Sequence, residues 1–305
     1  MQGAANVRPR DTAALLLLSL LWGAAFLFNN EVVRSVPPLT VVAGRLIIAS
    51  CLLVPVALLR ARVMPSRNAS LSLAFMALFN NVIPFTLITS AQEHITSSLA
   101  ATLIGTMPLF TLAFAIMLAT ERPDREKIAG LIIGFVGAIV VIGPSLGDFT
   151  NSDTIGQLAV VAASACYAIS TIVAREYARG APLALAAGQM VIGAAVALPL
   201  ALLIDGAPSF DIPAKAGASW LALGLLSSGL AFIIFFTLVQ RVAAIQLSVV
   251  SYLIPIVATL LGWLVLDETI GVNLFAGLVL IVIGVMATSG SFRHLARRAA
   301  PVRRR

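Results

Sequence analysis

Charge is what this sequence most lacks by the standard of a soluble protein. Asp, Glu, Lys and Arg make up 11% of its 305 residues, and Lys127 and Lys215 are its only lysines. A soluble domain carries about 25% charged residues. With 60% hydrophobic residues and a mean hydropathy of +1.02, the chain has too few charges to cover a water-facing surface. Lipid must surround most of it. Cysteine is scarce as well: Cys51 and Cys166 cannot staple a disulfide scaffold, and nothing is spaced as a zinc site. The two histidines supply no Ser–His pair, metal-ligand cluster or haem ligand set for chemistry inside a bilayer. No cofactor and no metal is therefore expected.

What is present is apolar length. Crossing roughly 30 Å of hydrocarbon takes about 20 apolar residues. Ten such stretches are predicted, over 12–34, 39–59, 70–91, 98–120, 127–143, 154–177, 184–204, 216–239, 246–266 and 272–291. The expected fold class is all-α, a polytopic membrane protein of ten transmembrane helices. The links are too short to hold a soluble domain.

The two halves of the chain match each other. A shift of 145 residues carries Glu31, Arg34 and Pro37 onto Glu176, Arg179 and Pro182, and Trp22 onto Tyr167. A shift of 147 carries Pro108, Glu121, Gly130 and Gly137 onto Pro255, Glu268, Gly277 and Gly284. The sequence thus divides into a first five-helix repeat (1–146), a second (147–291) and a basic tail (292–305). Five is odd, so the second repeat is expected to cross the membrane in the opposite sense. The positive-inside rule agrees. With the N-terminus in the cytoplasm, seventeen of the twenty cations fall inside, Arg34 and Lys215 fall outside, and Arg45 lies within a span. Both termini are then cytoplasmic, and the net charge of +7 is an orientation signal rather than a sign of nucleic-acid binding.

Two inverted five-helix repeats are a transporter architecture, with the solute bound at the repeat interface near the midplane. The recurrence Pro108…Glu121…Gly130…Gly137 and Pro255…Glu268…Gly277…Gly284, with Trp22-Gly23 in the first helix and Arg45 in the second, resembles the EamA-type branch of the drug/metabolite transporter superfamily. The likeness covers about residues 11–291. Within that branch the chain resembles the YddG-like exporters of aromatic and other amino acids. The resemblance implies a multi-pass plasma-membrane (inner-membrane) carrier, working by alternating access, with a small solute and the bilayer as its partners. A monomer would suffice.

Polar residues within the spans are the functional candidates, because they are costly in lipid. The third helix carries Asn80, Asn81, Pro84 and Phe85, and the eighth offers Ser227, Ser228, Ala231 and Phe232 at the same offsets. The first and sixth add Trp22 and Tyr167, and the ninth adds Ser251 and Tyr252. A cavity of amides, hydroxyls and rings suits a solute with a polar end and an apolar body. The competing reading is that each Ser or Thr bonds its own helix backbone. Pro84, Pro108 and Pro255 lie near the middle of their spans, where loss of a backbone donor kinks a helix. They are candidate gating points, or else static kinks. Arg45 is expected to pair with Glu31, the alternative being a solute carboxylate. The seven-spaced glycines are expected to pack helices closely. Phosphorylated solutes would need more buried cations than Arg45. A drug–proton antiporter would want a carboxylate in mid-helix, where this sequence has Trp22-Gly23-Ala24-Ala25. That alternative and a membrane-embedded enzyme stand behind export of amino acids or similar small amphipathic metabolites.

Overall fold

The computed structural model describes residues 8–61, 70–120, 124–143, 151–177, 182–208, 211–239, 241–242, 247 and 249–288. Glu121, Ser248 and the basic tail lie outside the described residues. Within them the chain forms ten helical rods and no strand. These are α1 (Pro9–Val33), α2 (Pro38–Ala61), α3 (Ser70–Ala77, Leu78–Val82 and Ile83–Ala91 in succession) and α4 (Ser97–Ile104 and Met107–Met117). Then follow α5 (Arg125–Ile142), α6 (Ser152–Tyr177) and α7 (Pro182–Ile204). The last three are α8 (Ala214–Ala222, Leu223–Leu230 and Ala231–Val239), α9 (Val249–Leu266) and α10 (Val272–Thr288).

Local chemistry explains the boundaries. Pro9, Pro38 and Pro182 open their helices, at positions where the missing N–H would have had no partner. Thr96 caps α4 by accepting from Leu99 N at 3.2 Å, and Asp124 caps α5 by accepting from Lys127 N at 2.9 Å. After α4 and α9 the chain turns through left-handed residues, Ala119 (φ 55°) and Asp267 (φ 54°).

Eight of these helices are long and apolar enough to cross a membrane. α10 is equally apolar at 17 residues, and α5 begins with the charged run Arg125-Glu126-Lys127. The outer surface is apolar, and costly polar side chains are kept inside among apolar clusters. Leu59, Leu71, Leu203, Val272 and Phe275 are exposed, whereas Arg45, Asn81, Gln189, Ser227 and Ser228 are buried. That placement is what a hydrocarbon solvent selects. The chain is a multi-pass membrane protein.

Two helices contain a stretch of wider, π-type turns: Leu78–Val82 in α3 and Leu223–Leu230 in α8. A shift of 147 residues superposes them, Asn80-Asn81 on Ser227-Ser228. In α3 the cause is Pro84, which has no N–H to give to Asn80. The preceding residue, Ile83, instead bonds the carbonyl of Leu78, five residues back. Ala231 occupies the corresponding place in α8, where the Ser228 hydroxyl donates to the Leu223 carbonyl at 3.1 Å and Ala231 N bonds Leu226 O. Kinks at Pro108 and Pro255 were expected as a pair. The two helices differ: α4 breaks at Gly105–Thr106 just before Pro108, while α9 runs unbroken through Pro255. The Thr106 hydroxyl donates to Leu103 O at 2.6 Å, tightening the turn at the break.

The main helix contacts run between the halves of the chain. α1 packs on α8 and α9, and α6 on α3 and α4. α2 packs on α7 and α8, and α7 also on α3. α4 meets α9, and α5 meets α10 in the most extensive contact of the molecule. Exchanging each helix for the one five places away leaves this pattern unchanged.

At the α5–α10 contact a Cβ on Gly130 would lie 2.7 Å from Gly284 O, and one on Gly137 would lie 2.9 Å from Gly277 O. Residue number rises along one helix as it falls along the other, so the two run antiparallel. Only residues without a side chain allow this approach.

Candidate solute site

Arg45 on α2 is the centre of the buried polar layer. It is 9% exposed. Its Nε donates to Ser228 Oγ of α8 at 2.6 Å, and its guanidinium carbon lies 3.7 Å from the centre of the Phe85 ring of α3. Tyr167 of α6 packs against the cluster that contains Phe85. Four helices, two from each half, thus meet around one cation. Cation–π contact and a hydrogen bond offset part of the desolvation cost of the charge. The expected Glu31–Arg45 pair does not form. α1 packs along α8, which sets Glu31 beside Lys215 at the start of that helix, 2.8 Å away. Arg45 is two turns deeper, bonded to Ser228.

A second polar group sits in the same layer. Asn80 Nδ2 and Asn81 Nδ2 both approach Gln189 Oε1 of α7, at 3.2 and 3.5 Å. Asn81 is fully buried, and its Oδ1 has no hydrogen-bond partner. Leu46 and Val82, the chain neighbours of Arg45 and Asn81, pack with Phe85 and Met190 in one cluster, against which Tyr167 and Phe232 also lie. Across α8, the half-buried Trp22 packs edge-on to Phe232 (centroids 6.2 Å apart) and against Phe235 (5.4 Å). Ser227 donates to the Leu21 carbonyl of α1 at 2.8 Å.

Of the residues expected from sequence, Arg45, Phe85, Tyr167 and Ser228 come together. Asn80 and Asn81 form the amide group with Gln189, while Trp22, Ser227 and Phe232 line the α1–α8 side. Ser251 and Tyr252 are half-buried on α9, and Tyr252 packs against a different cluster, with Ile88, Leu103 and Val160. Pro84 and Pro255 are buried. Other hydroxyl residues within the spans follow the competing reading. Ser19, Thr102 and Thr171 bond carbonyls four residues back, and Ser164 divides its bond between Val160 O and Leu103 O.

Sequence reasoning missed Gln189, although a glutamine amide within an apolar span was a signal open to it. It read Glu268 as a solvated or helix-capping residue, but missed the partners in a set of ties at one end of the bundle. Gln92 accepts from Asn29 Nδ2 (2.7 Å) and donates to Phe26 O (2.9 Å) and Ser97 Oγ (3.3 Å). Thr89 donates to Asn29 Oδ1 at 3.0 Å. The Glu268 carboxylate accepts from Ser97 N at 2.7 Å, from Ser98 N at 3.0 Å and from the Ser98 hydroxyl. It thereby caps the N-terminus of α4 from the other half of the chain, where a negative charge meets the helix dipole favourably. Asp205 does the same for α2, accepting from Thr40 N and Thr40 Oγ1, each at 2.8 Å.

Apolar helices that enclose a polar, aromatic layer shared by both halves define a membrane carrier. The profile of the EamA-like transporter family matches residues 12–143 and again residues 154–290. The chain belongs to that family and is a membrane transporter. It is 24% identical over 280 residues to the "Uncharacterized transporter YoaV" of Bacillus subtilis, covering 91% of this chain and 96% of the relative. It is 27% identical over 296 residues to the "Uncharacterized inner membrane transporter YedA" of Escherichia coli, covering 95% and 94%. A crystal structure superposes with a TM-score of 0.68 at 23% identity, covering 94% of this chain and 99% of that one, a likeness of fold.

Proposed function

We propose that this protein exports amino acids or similar small amphipathic metabolites across the inner membrane by alternating access, as the YddG-like resemblance implies. One observation carries the reading: a buried layer of amides, hydroxyls and rings, drawn from both halves and holding, among the described residues, a single charge, that of Arg45. Such a layer serves a solute with a polar end and an apolar body. A multiply charged solute would leave charge uncompensated in a low-dielectric interior. The name of the Escherichia coli relative, an inner membrane transporter, supports the location.

The repeats are inverted in this proposal, and all ten helices span. Three features support it: the double family match, the helix contacts that survive exchange of the halves, and the antiparallel α5–α10 crossing. Both termini then face the cytoplasm. The Gln92, Glu268, Asp205 and Glu31–Lys215 ties close the opposite, outer end. Export requires them to part while the inner end closes. The break before Pro108 and the wide turns around Pro84 and Ser228 are where α3, α4 and α8 bend, and Pro255 is the fourth candidate.

The test is reconstitution of the full chain in liposomes loaded with labelled amino acids, with and without a pH gradient. Efflux of amino acids is expected, and Asn80→Ala with Asn81→Ala should reduce it about tenfold or more, the scale of one lost polar contact to a bound solute. Movement of a phosphorylated sugar without any amino acid would overturn the proposal.

A further inference from the structure

We propose that Arg45 is the anchor for a carboxylate on the transported solute, with Ser228 and Phe85 as the residues that position it. The inference rests on the amino-acid reading above and narrows it to solutes with a free carboxylate.

A guanidinium carries its charge at any physiological pH and offers five donors in one plane. One donor, Nε, is taken by Ser228. Among the described residues no carboxylate pairs with Arg45, and Glu31, the nearest expectation, is held by Lys215. A cation 91% withdrawn from solvent and left in this state is costly unless an anion completes it. Phe85 covers one face of the plane at 3.7 Å, and the Ser228 bond occupies the Nε edge, so the guanidinium is fixed in orientation. The end bearing the two terminal nitrogens remains. That end matches the two oxygens of a carboxylate in a paired, parallel bond.

Ser228 is itself fixed, since its hydroxyl donates back to Leu223 O across the wide turn of α8 and so presents a lone pair to Nε. The π-type turn therefore places the acceptor that orients the arginine. An unsatisfied acceptor near the same cluster, Asn81 Oδ1, would suit an ammonium or amide N–H of the same solute. A phosphate dianion would bring a second negative charge, and among the described residues no second buried cation would meet it. One arginine and one acceptor oxygen fit one carboxylate and one donor.

The experiment compares each labelled amino acid with its own carboxamide, in which the carboxylate alone is changed, using proteoliposomes of the full chain. The wild type should move the acid about 10- to 100-fold faster than the amide, the scale of a charge-assisted bond made or missing. Arg45→Gln should bring that ratio to within about threefold of one, and Arg45→Lys should retain part of it, since charge survives but the planar fork does not. The wild-type ratio decides the matter even if the Gln variant does not fold. Equal transport of acid and amide by the wild type, or an unchanged ratio in Arg45→Gln, overturns the carboxylate anchor and leaves the exporter standing. Movement of neither acid nor amide overturns the amino-acid reading and this inference with it.

Discussion

Arg45 and Gln189 show how a few polar side chains organise a lipid-solvated bundle. Each serves several partners at once: Arg45 joins α2 to α3 and α8, and Gln189 gathers both asparagines of α3 onto α7. Gln189→Leu removes the acceptor while leaving one buried donor, on Asn81, and one half-buried donor, on Asn80. Hydrogen bonds between membrane helices contribute on the order of 0.6–2 kcal/mol each, so the variant should lose about that much stability, read as a lower Tm in detergent. An unchanged Tm would mean that the amide group is held by packing alone. At this scale the sequence was informative about which residues are polar inside a span and poor about whom they meet. Arg45, Asn80, Asn81 and Ser228 were all visible as costly residues in apolar stretches. The partner of Glu31 was not, because Lys215 lies 184 positions away and is brought there only by the packing of α1 on α8.

Elements were legible where hydropathy alone decides them. All ten rods lie within a few residues of the apolar stretches, since a chain in hydrocarbon must satisfy its backbone within each helix. The wide turns were not legible. The missing N–H of Pro84 accounts for one, whereas in the other Ser228 bonds Leu223 O across the wide turn, and no shared residue pattern announces both. The glycines were readable as a packing face, and the structure supplies the opposing backbone. Gly284→Ala would set a methyl about 2.5–2.6 Å from Gly134 N and Gly130 O, atoms that cannot rotate away. It should destabilise the protein by about 1–3 kcal/mol, the usual range for overpacking. Gly143→Ala, with open space around it, should be nearly neutral. Thermal melts of the two purified variants check this contrast.

Across the whole molecule, the repeat register found by shifting the sequence corresponds to the exchange symmetry of the helix contacts, from α1 with α6 to α5 with α10. Hydropathy carries no distances between helices, so the pairing of one half with the other could not be read beforehand. The proposed orientation has a direct test. In a background of Cys51→Ser and Cys166→Ser, a cysteine introduced as Asp211→Cys should react with a membrane-impermeant thiol reagent added to intact cells. Thr120→Cys, at the other end of the bundle, should react only after the cells are opened. Both positions are exposed at the ends of the helices. The reverse pattern would turn the molecule over in the membrane and make the closed end the cytoplasmic one.

The interleaving of the halves also governs biosynthesis. The first five helices leave the ribosome before the second five exist, yet α1 through α5 have their main partners among α6 to α10. Until α7 and α8 are inserted, Arg45 lacks Ser228, and Asn80 and Asn81 lack Gln189. The α5 glycines meanwhile face lipid instead of α10. The early half is therefore expected to lack its native polar partners until the second half inserts, so that native packing forms late. A truncated chain would be left with an uncovered polar seam, which is the kind of surface by which membrane quality control recognises an orphan.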